Sequence, residues 1–184
     1  MEGIDFLTLS GKRTLLRGGV GTGKTFLLEK ILEGAINAEE GSVTVIDMAP
    51  DERFVGVVKV GGKLKLRDAR GARYLTPAYV HAPRVEGKDK RGVVHLAELN
   101  AKALEPLLRS YLSSPTPVLF INDMSIFLHR GRLYIMKEAI LTARTFVGSA
   151  YWGTFFDDKG SGINERERAL LEQLMVLFDR IIDL

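Results

Sequence analysis

The stretch Gly18-Gly19-Val20-Gly21-Thr22-Gly23-Lys24-Thr25 restricts the folds open to this chain more than any other feature. It has the form G-x-x-x-x-G-K-T, a P-loop, which works only where a strand ends in a tight loop and a helix begins. Glycines let backbone N–H groups wrap phosphate oxygens with no Cβ in the way. Lys24 supplies a mobile cation for β- and γ-phosphates, Thr25 a hydroxyl for Mg²⁺, and the following helix its positive end. The flanks agree. Thr14-Leu15-Leu16-Arg17 has the pattern of a short strand. Leu27, Leu28, Ile31 and Leu32 share one face of the helix that follows. Gly18 to Phe26 is therefore the expected cradle for ATP or ADP.

Composition narrows the class. The chain has 184 residues, 46% hydrophobic and 27% charged, enough for one full domain over 1–184. No apolar run approaches the roughly 20 residues of a membrane helix. The opening Met1-Glu2-Gly3-Ile4-Asp5 lacks the basic and apolar regions of a signal peptide, so a cytoplasmic location is expected. Cysteine is absent, which excludes disulfides, thiolate metal sites and cysteine nucleophiles. A single glutamine, Gln173, and four asparagines beside many charges suggest a thermophile.

Strand and helix patterns alternate along the chain. Val43 to Asp47 is a buried-strand pattern. Val57 to Leu66 alternates around Gly61-Gly62, the signature of a hairpin. Ala78 to Ala82 has strand character, Arg84 to Gly92 that of a charged loop. A helix is expected over Glu105 to Leu112, with Pro106 in its first turn. A strand over Pro117 to Ile121, a helix over 132–146 and a strand over Ser149 to Phe155 follow. Asn164 with Glu167 resembles a capping box before a last helix, and Arg180 to Leu184 forms a last strand. The expected fold is α/β: a mostly parallel sheet sandwiched by helices, with a basic hairpin inserted.

The second half of a nucleotide site should be a carboxylate past a neighbouring apolar strand. Val118-Leu119-Phe120-Ile121 followed by Asn122-Asp123 fits this Walker B pattern, with Asp123 the metal-side acid together with Thr25. If Asn122 takes the metal position, Asp123 becomes the acid that activates water. Asp47, Asp51 and Glu52 are the candidates to hold that water; of these Asp47 and Glu52 join Lys24 and Asp123 as expected catalytic residues. Arg144, Arg166 and Arg168 are candidates for an arginine finger.

The order strand, GGVGTGKT, helix, strand ending at Asp47, VLFIND, helix, SAYWGTF and FDRIIDL resembles RecA-like ATPases, nearest to compact archaeal and cyanobacterial KaiC-type members. The resemblance spans residues 12–184. It implies ATP on Gly18 to Thr25, Mg²⁺ through Thr25 and Asp123, and homo-oligomer subunits meeting near the nucleotide.

Residues 53–91 hold eleven Lys and Arg against three Asp and Glu, whereas the whole chain is only +3. Lys59, Lys63, Lys65, Arg67, Arg70 and Arg73, with Tyr74 and Tyr79 for stacking, could form a footprint for nucleic-acid phosphates. A soluble edge hairpin or a lid over a second phosphorylated substrate uses the same residues. Three functions stay open: an ATPase acting on a partner, a phosphotransferase, and a nucleotide-binding regulatory module. A GTPase is disfavoured, because no N-K-x-D tetrad occurs.

Overall fold

The computed structural model describes residues 3–39, 42–65 and 71–184. Its elements run α1 (Phe6–Leu9), β1 (Arg13–Gly18), α2 (Lys24–Ala38), β2 (Val43–Asp47), β3 (Arg53–Val55), β4 (Val58–Val60), β5 (Ala72–Leu75), α3 (Pro83–Glu86), α4 (Lys90–Ser113), β6 (Val118–Asn122), α5 (Met124–Leu128), α6 (Leu133–Thr142), β7 (Thr145–Tyr151), α7 (Ile163–Met175) and β8 (Arg180–Asp183). Six strands form one parallel sheet in the order β5-β2-β6-β7-β1-β8.

The central strands are apolar almost throughout because both faces are covered. Side chains alternate between the faces. Leu16, Val45, Phe120 and Val147 pack against α1 and α2. Leu15, Ile46, Leu119, Ile121 and Phe146 pack against α4, α5, α6 and α7 on the other face. All carboxyl ends of the strands point the same way, so Gly18, Asp47, Asn122 and Tyr151 finish along one edge, where open α/β sheets bind ligands.

The expected α/β sandwich is present, but several elements differ. The hairpin is β3–β4, closed by a two-residue turn at Gly56-Val57 with Gly56 at φ 60°. Gly61-Gly62 instead folds the chain back beneath Pro50, whose carbonyl accepts from Gly62 N–H at 2.9 Å. Lys63 to Lys65 belongs to no strand. It docks through Leu64 N–H on Asp47 and Lys65 N–H on Glu29, which replaces a ladder. Leu66, Arg67 and Arg70 lie outside the described residues.

The strand expected at 78–82 is not one; β5 occupies 72–75. Asn100 grips the 78–82 segment with its side-chain amide, accepting from His81 N–H at 2.8 Å and donating to His81 O at 2.9 Å. The expected charged loop contains α3 and the start of α4. That helix begins 15 residues before the expected Glu105, capped by Asp89, so Pro106 sits in its interior rather than its first turn. Its buried stripe is Val93, Ala97, Asn100, Leu104, Leu108 and Tyr111. The polar Asn100 in the middle hides the stripe from a hydrophobicity pattern.

The helix expected over 132–146 stops at Thr142, and Thr145-Phe146 already belongs to β7, whose bulky and β-branched residues favour a strand. The strand expected at 149–155 is this same β7, ending four residues earlier. Gly162, not Asn164, is the N-cap of α7.

Candidate nucleotide-binding site

β1 and α2 build the loop in the way the motif requires. At Gly18 an added Cβ would collide with the backbone carbonyl oxygen of Leu184, just past β8. Gly23 caps α2 at φ 90°, a conformation that side chains disfavour. Val20 to Phe26 line a cavity of about 380 Å³. Lys24 curls over its own loop, donating to Gly18 O at 3.0 Å and to Gly19 O. Burial pulls the pKa of its ammonium down, while the charge of Asp123 opposes this. Phe26 is 73% exposed at the cavity mouth.

β6 delivers Asn122 and Asp123 to the same cavity. Asn122 is buried and fully engaged. Its amide donates to Asp47 Oδ1 at 2.9 Å and Gly62 O at 3.3 Å, and its oxygen accepts from Ser149 Oγ at 3.1 Å. Asp123 takes the left-handed conformation, φ 56° and ψ 62°, where Asp and Asn are the tolerated non-glycine types. Its N–H donates to Ser149 Oγ at 2.9 Å, and among the described residues its carboxylate accepts no hydrogen bond. Burial and the Glu167 charge push this carboxyl up to about 7, against the pull of Lys24 and Arg84.

β7 lies between β1 and β6. Two strand spacings, about 9.5 Å, therefore separate the P-loop strand from the Asp123 strand. That gap leaves room for a phosphate, an ion and water. The donor set fits Mg²⁺: the Thr25 hydroxyl and the Asp123 carboxylate both line the cavity, and neither has a hydrogen-bond partner among the described residues. No group of three His, Asp or Glu side chains gathers among the described residues. An ion here would rely on one or two protein oxygens with phosphate and water, as Mg²⁺ usually does.

Asp47 and Glu52 do not share this openness. Asp47 is fully buried, and its carboxylate accepts from Ala49 N (3.1 Å), Asn122 Nδ2 (2.9 Å), Leu64 N (2.7 Å) and the Tyr74 hydroxyl (2.6 Å). These bonds tie the 61–65 segment and β5 to the sheet. Burial and the bond to Asp47 push the pKa of the Tyr74 phenol upward. Glu52 lines the cavity but pairs with Lys59 at 2.9 Å. That bond holds its carboxyl below the usual range. Asp51 is exposed.

The basic segment turns inward. Lys59, Lys63 and Lys65 line the same cavity as the P-loop. Arg53 pairs with Glu86 at 2.6 Å, Lys63 donates to Thr76 at 3.0 Å, and Arg73 donates to Ser110 and Ser114. Of the expected finger arginines, Arg144 stands just before β7 at the far end of the sheet, paired with Glu39. Arg166 donates to Gly131 O, and Arg168 stacks 3.4 Å from the Trp152 ring centre. None of the three lines the cavity.

Sequence reasoning missed a buried cluster on the cavity wall. Arg84 donates to Glu167 Oε2 at 2.7 Å, and His129 Nε2 lies 3.0 Å from the same oxygen. Burial alone would raise the pKa of Glu167. The Arg84 charge and the His129 bond outweigh it and hold the carboxyl at about 2. Burial lowers the pKa of His129. The three residues lie far apart in sequence, and the only hint was polar residues within apolar stretches.

No protein-family model and no curated protein matches the chain. Among solved structures it is similar to the VirB11 ATPase of the Brucella suis type IV secretion system, in complex with sulphate. The TM-score is 0.51 with 14% identity over 97% of this chain and 45% of that one. The Pif1 helicase of Candida albicans matches at a TM-score of 0.40 and 17% identity, over 97% of this chain and 37% of that one. The chain thus spans less than half the length of either. The P-loop NTPase fold is what the chain shares with the VirB11 ATPase.

Proposed function

We propose that residues 1–184 form one RecA-like unit that binds ATP with Mg²⁺ and hydrolyses it, its cycle driving assembly or action on a partner. The observation that carries this reading is one cavity holding the P-loop, the Thr25 hydroxyl and the half-buried Asp123 carboxylate, neither of which has a hydrogen-bond partner among the described residues. Lys24 and the loop bind the phosphates. Thr25 and Asp123 hold the ion, which neutralises charge developing on the phosphates. Phe26 offers an exposed ring to the base. Asp47 already accepts four protein donors and serves as a clasp, which leaves Asp123 as the acid nearest the reacting phosphate.

The test is phosphate release from ATP at elevated temperature, for wild type and Lys24→Ala. Lys24→Ala is expected to lower the rate by about a hundredfold or more. An unchanged rate would overturn the reading. Single-stranded DNA or RNA is expected to change the rate little, because five of the segment's nine described cations already have partners within the chain. A rise with polynucleotide would return Lys65, Lys88, Lys90 and Arg91, which are exposed, to a nucleic-acid role.

One observation favours a second reading, transfer of the γ-phosphate to a small anionic acceptor: Lys59, Lys63 and Lys65 share the cavity with the P-loop. Turnover that requires an added acceptor, with no free phosphate released, would select it.

A further inference from the structure

We infer that Arg84 is the arginine that contacts the terminal phosphate, supplied by the same chain that carries the P-loop, and that Glu167 holds it in reserve. This inference rests on the nucleotide-site reading above and adds to it a residue that tells triphosphate from diphosphate.

Arg84 lies in the first turn of α3, immediately after Pro83. Its backbone is fixed from outside the helix, because Lys159 Nζ donates to Arg84 O at 3.0 Å and also to Gly87 O. Its side chain is 6% exposed. The guanidinium sits over the Phe156 ring at 4.6 Å and the Tyr151 ring at 5.0 Å. Stacking of this kind fixes the plane of the fork and leaves its edges free.

The fork is only partly engaged. One terminal nitrogen donates to Glu167 Oε2 at 2.7 Å and Asn164 Oδ1 at 3.0 Å. Among the described residues, the other terminal nitrogen and Nε donate to nothing, while the side chain lines the cavity together with Lys24 and Asp123. These donors are not among the side-chain atoms sealed away without a partner, so they stay accessible to an acceptor that enters the cavity. The acceptor this cavity is built for is phosphate, which arginine binds through two parallel bonds. The loop wraps the inner phosphates and Lys24 bridges the β- and γ-phosphates, so the remaining oxygens of the outer phosphate are left for Arg84.

Glu167 is the counterweight. It shares one oxygen between Arg84 and His129, while its other oxygen has no partner among the described residues. A triphosphate that draws Arg84 towards it therefore competes with Glu167. Glu167 is a positioning residue in α7 and does not line the nucleotide cavity. The same arginine, with Tyr151 and Phe156, also walls a second cavity of about 300 Å³ next to Trp152. Trp152 is the only tryptophan in the chain, so its fluorescence follows this wall.

The experiment is calorimetric titration of the full chain with ATPγS and with ADP, each with Mg²⁺, for wild type, Arg84→Lys and Glu167→Gln. Arg84→Lys keeps the charge and is expected to weaken ATPγS by about tenfold or more while changing ADP less than about twofold. Glu167→Gln leaves Arg84 in place and loosens its tether. It is expected to tighten ATPγS relative to ADP and to shift Trp152 emission only with ATPγS. Equal effects on both ligands, or none, in both variants would overturn the role of Arg84. If Arg84→Lys does not fold, the Glu167→Gln ratio decides alone. A wild type that binds neither ligand sinks the nucleotide site itself, a result distinct from selective failure of the variants.

Discussion

Asp123→Asn should abolish turnover and yet make the ligand-free protein more stable at pH 8. The two effects share one cause. Among the described residues no donor stabilises the Asp123 carboxylate, and burial beside the Glu167 charge pushes its carboxyl up to about 7, well above the usual carboxylate range. Below pH 4 the folded and unfolded chains are both protonated there, and the site costs nothing. Between about 4 and 7 the unfolded chain releases its proton while the folded one keeps it, so stability falls as pH rises. Above 7 the full penalty applies, of the order of 4 kcal/mol at most. Asn is neutral and fits the left-handed backbone equally well. A gain in melting temperature of the order of 5 °C at pH 8, vanishing at pH 4, is the expected scan. Phosphate release should fall about a hundredfold or more, because the ion loses its charged ligand. Mg²⁺-ATP should raise the melting temperature of wild type more than that of the variant. A variant that is less stable at pH 8 and still turns over would contradict both halves.

Asp47→Ala should act in the opposite sense, by unfolding rather than by chemistry. The substitution leaves Leu64 N–H, the Tyr74 hydroxyl and the Asn122 amide without their acceptor in a buried place. At about 1–3 kcal/mol for each stranded group, partly relaxed, a loss of about 4 kcal/mol is expected. That corresponds to a drop of the order of 10 °C in melting temperature for a chain this size. The 61–65 wall should also become the first site of proteolytic cleavage. Turnover measured well below the new melting temperature should persist in part. A stable Asp47→Ala protein with no turnover would instead mark Asp47 as the residue that holds the attacking water.

What the sequence disclosed depends on how local the physics is. The P-loop was legible because each fixed position meets a constraint of its own: space at Gly18, backbone conformation at Gly23, charge at Lys24. β6 was legible because a strand covered on both faces is apolar without interruption. α4 was half hidden, because Asn100 interrupts its apolar stripe to bond the His81 backbone, and that bond is invisible without the fold. Gly61-Gly62 has the composition of a hairpin turn but serves a fold-back under Pro50, since the hairpin closes five residues earlier. The charge of residues 53–91 was countable, yet its direction was not. Only the path of the chain shows that Lys59, Lys63 and Lys65 share the cavity of the phosphate loop. Arg84 and His129 carry no motif, Glu167 read only as half of a capping box, and the three meet only through α3, the end of α5 and α7.

The position of β1 in the sheet also governs when the P-loop can exist during synthesis. β1 pairs with β7 and β8 alone, through residues 145–151 and 180–183. β1, the first strand of the sheet to be made, thus waits for β7 and β8. At a ribosome moving about 5–20 residues per second, β1 stays unpaired for several seconds after it emerges, and α2 has only half a floor to pack on. Nucleotide cannot stabilise the growing chain in that interval, because its loop is not yet held by a finished strand. The P-loop is made long before the strands that hold it, and pairings this distant in sequence place the fold among the slower ones.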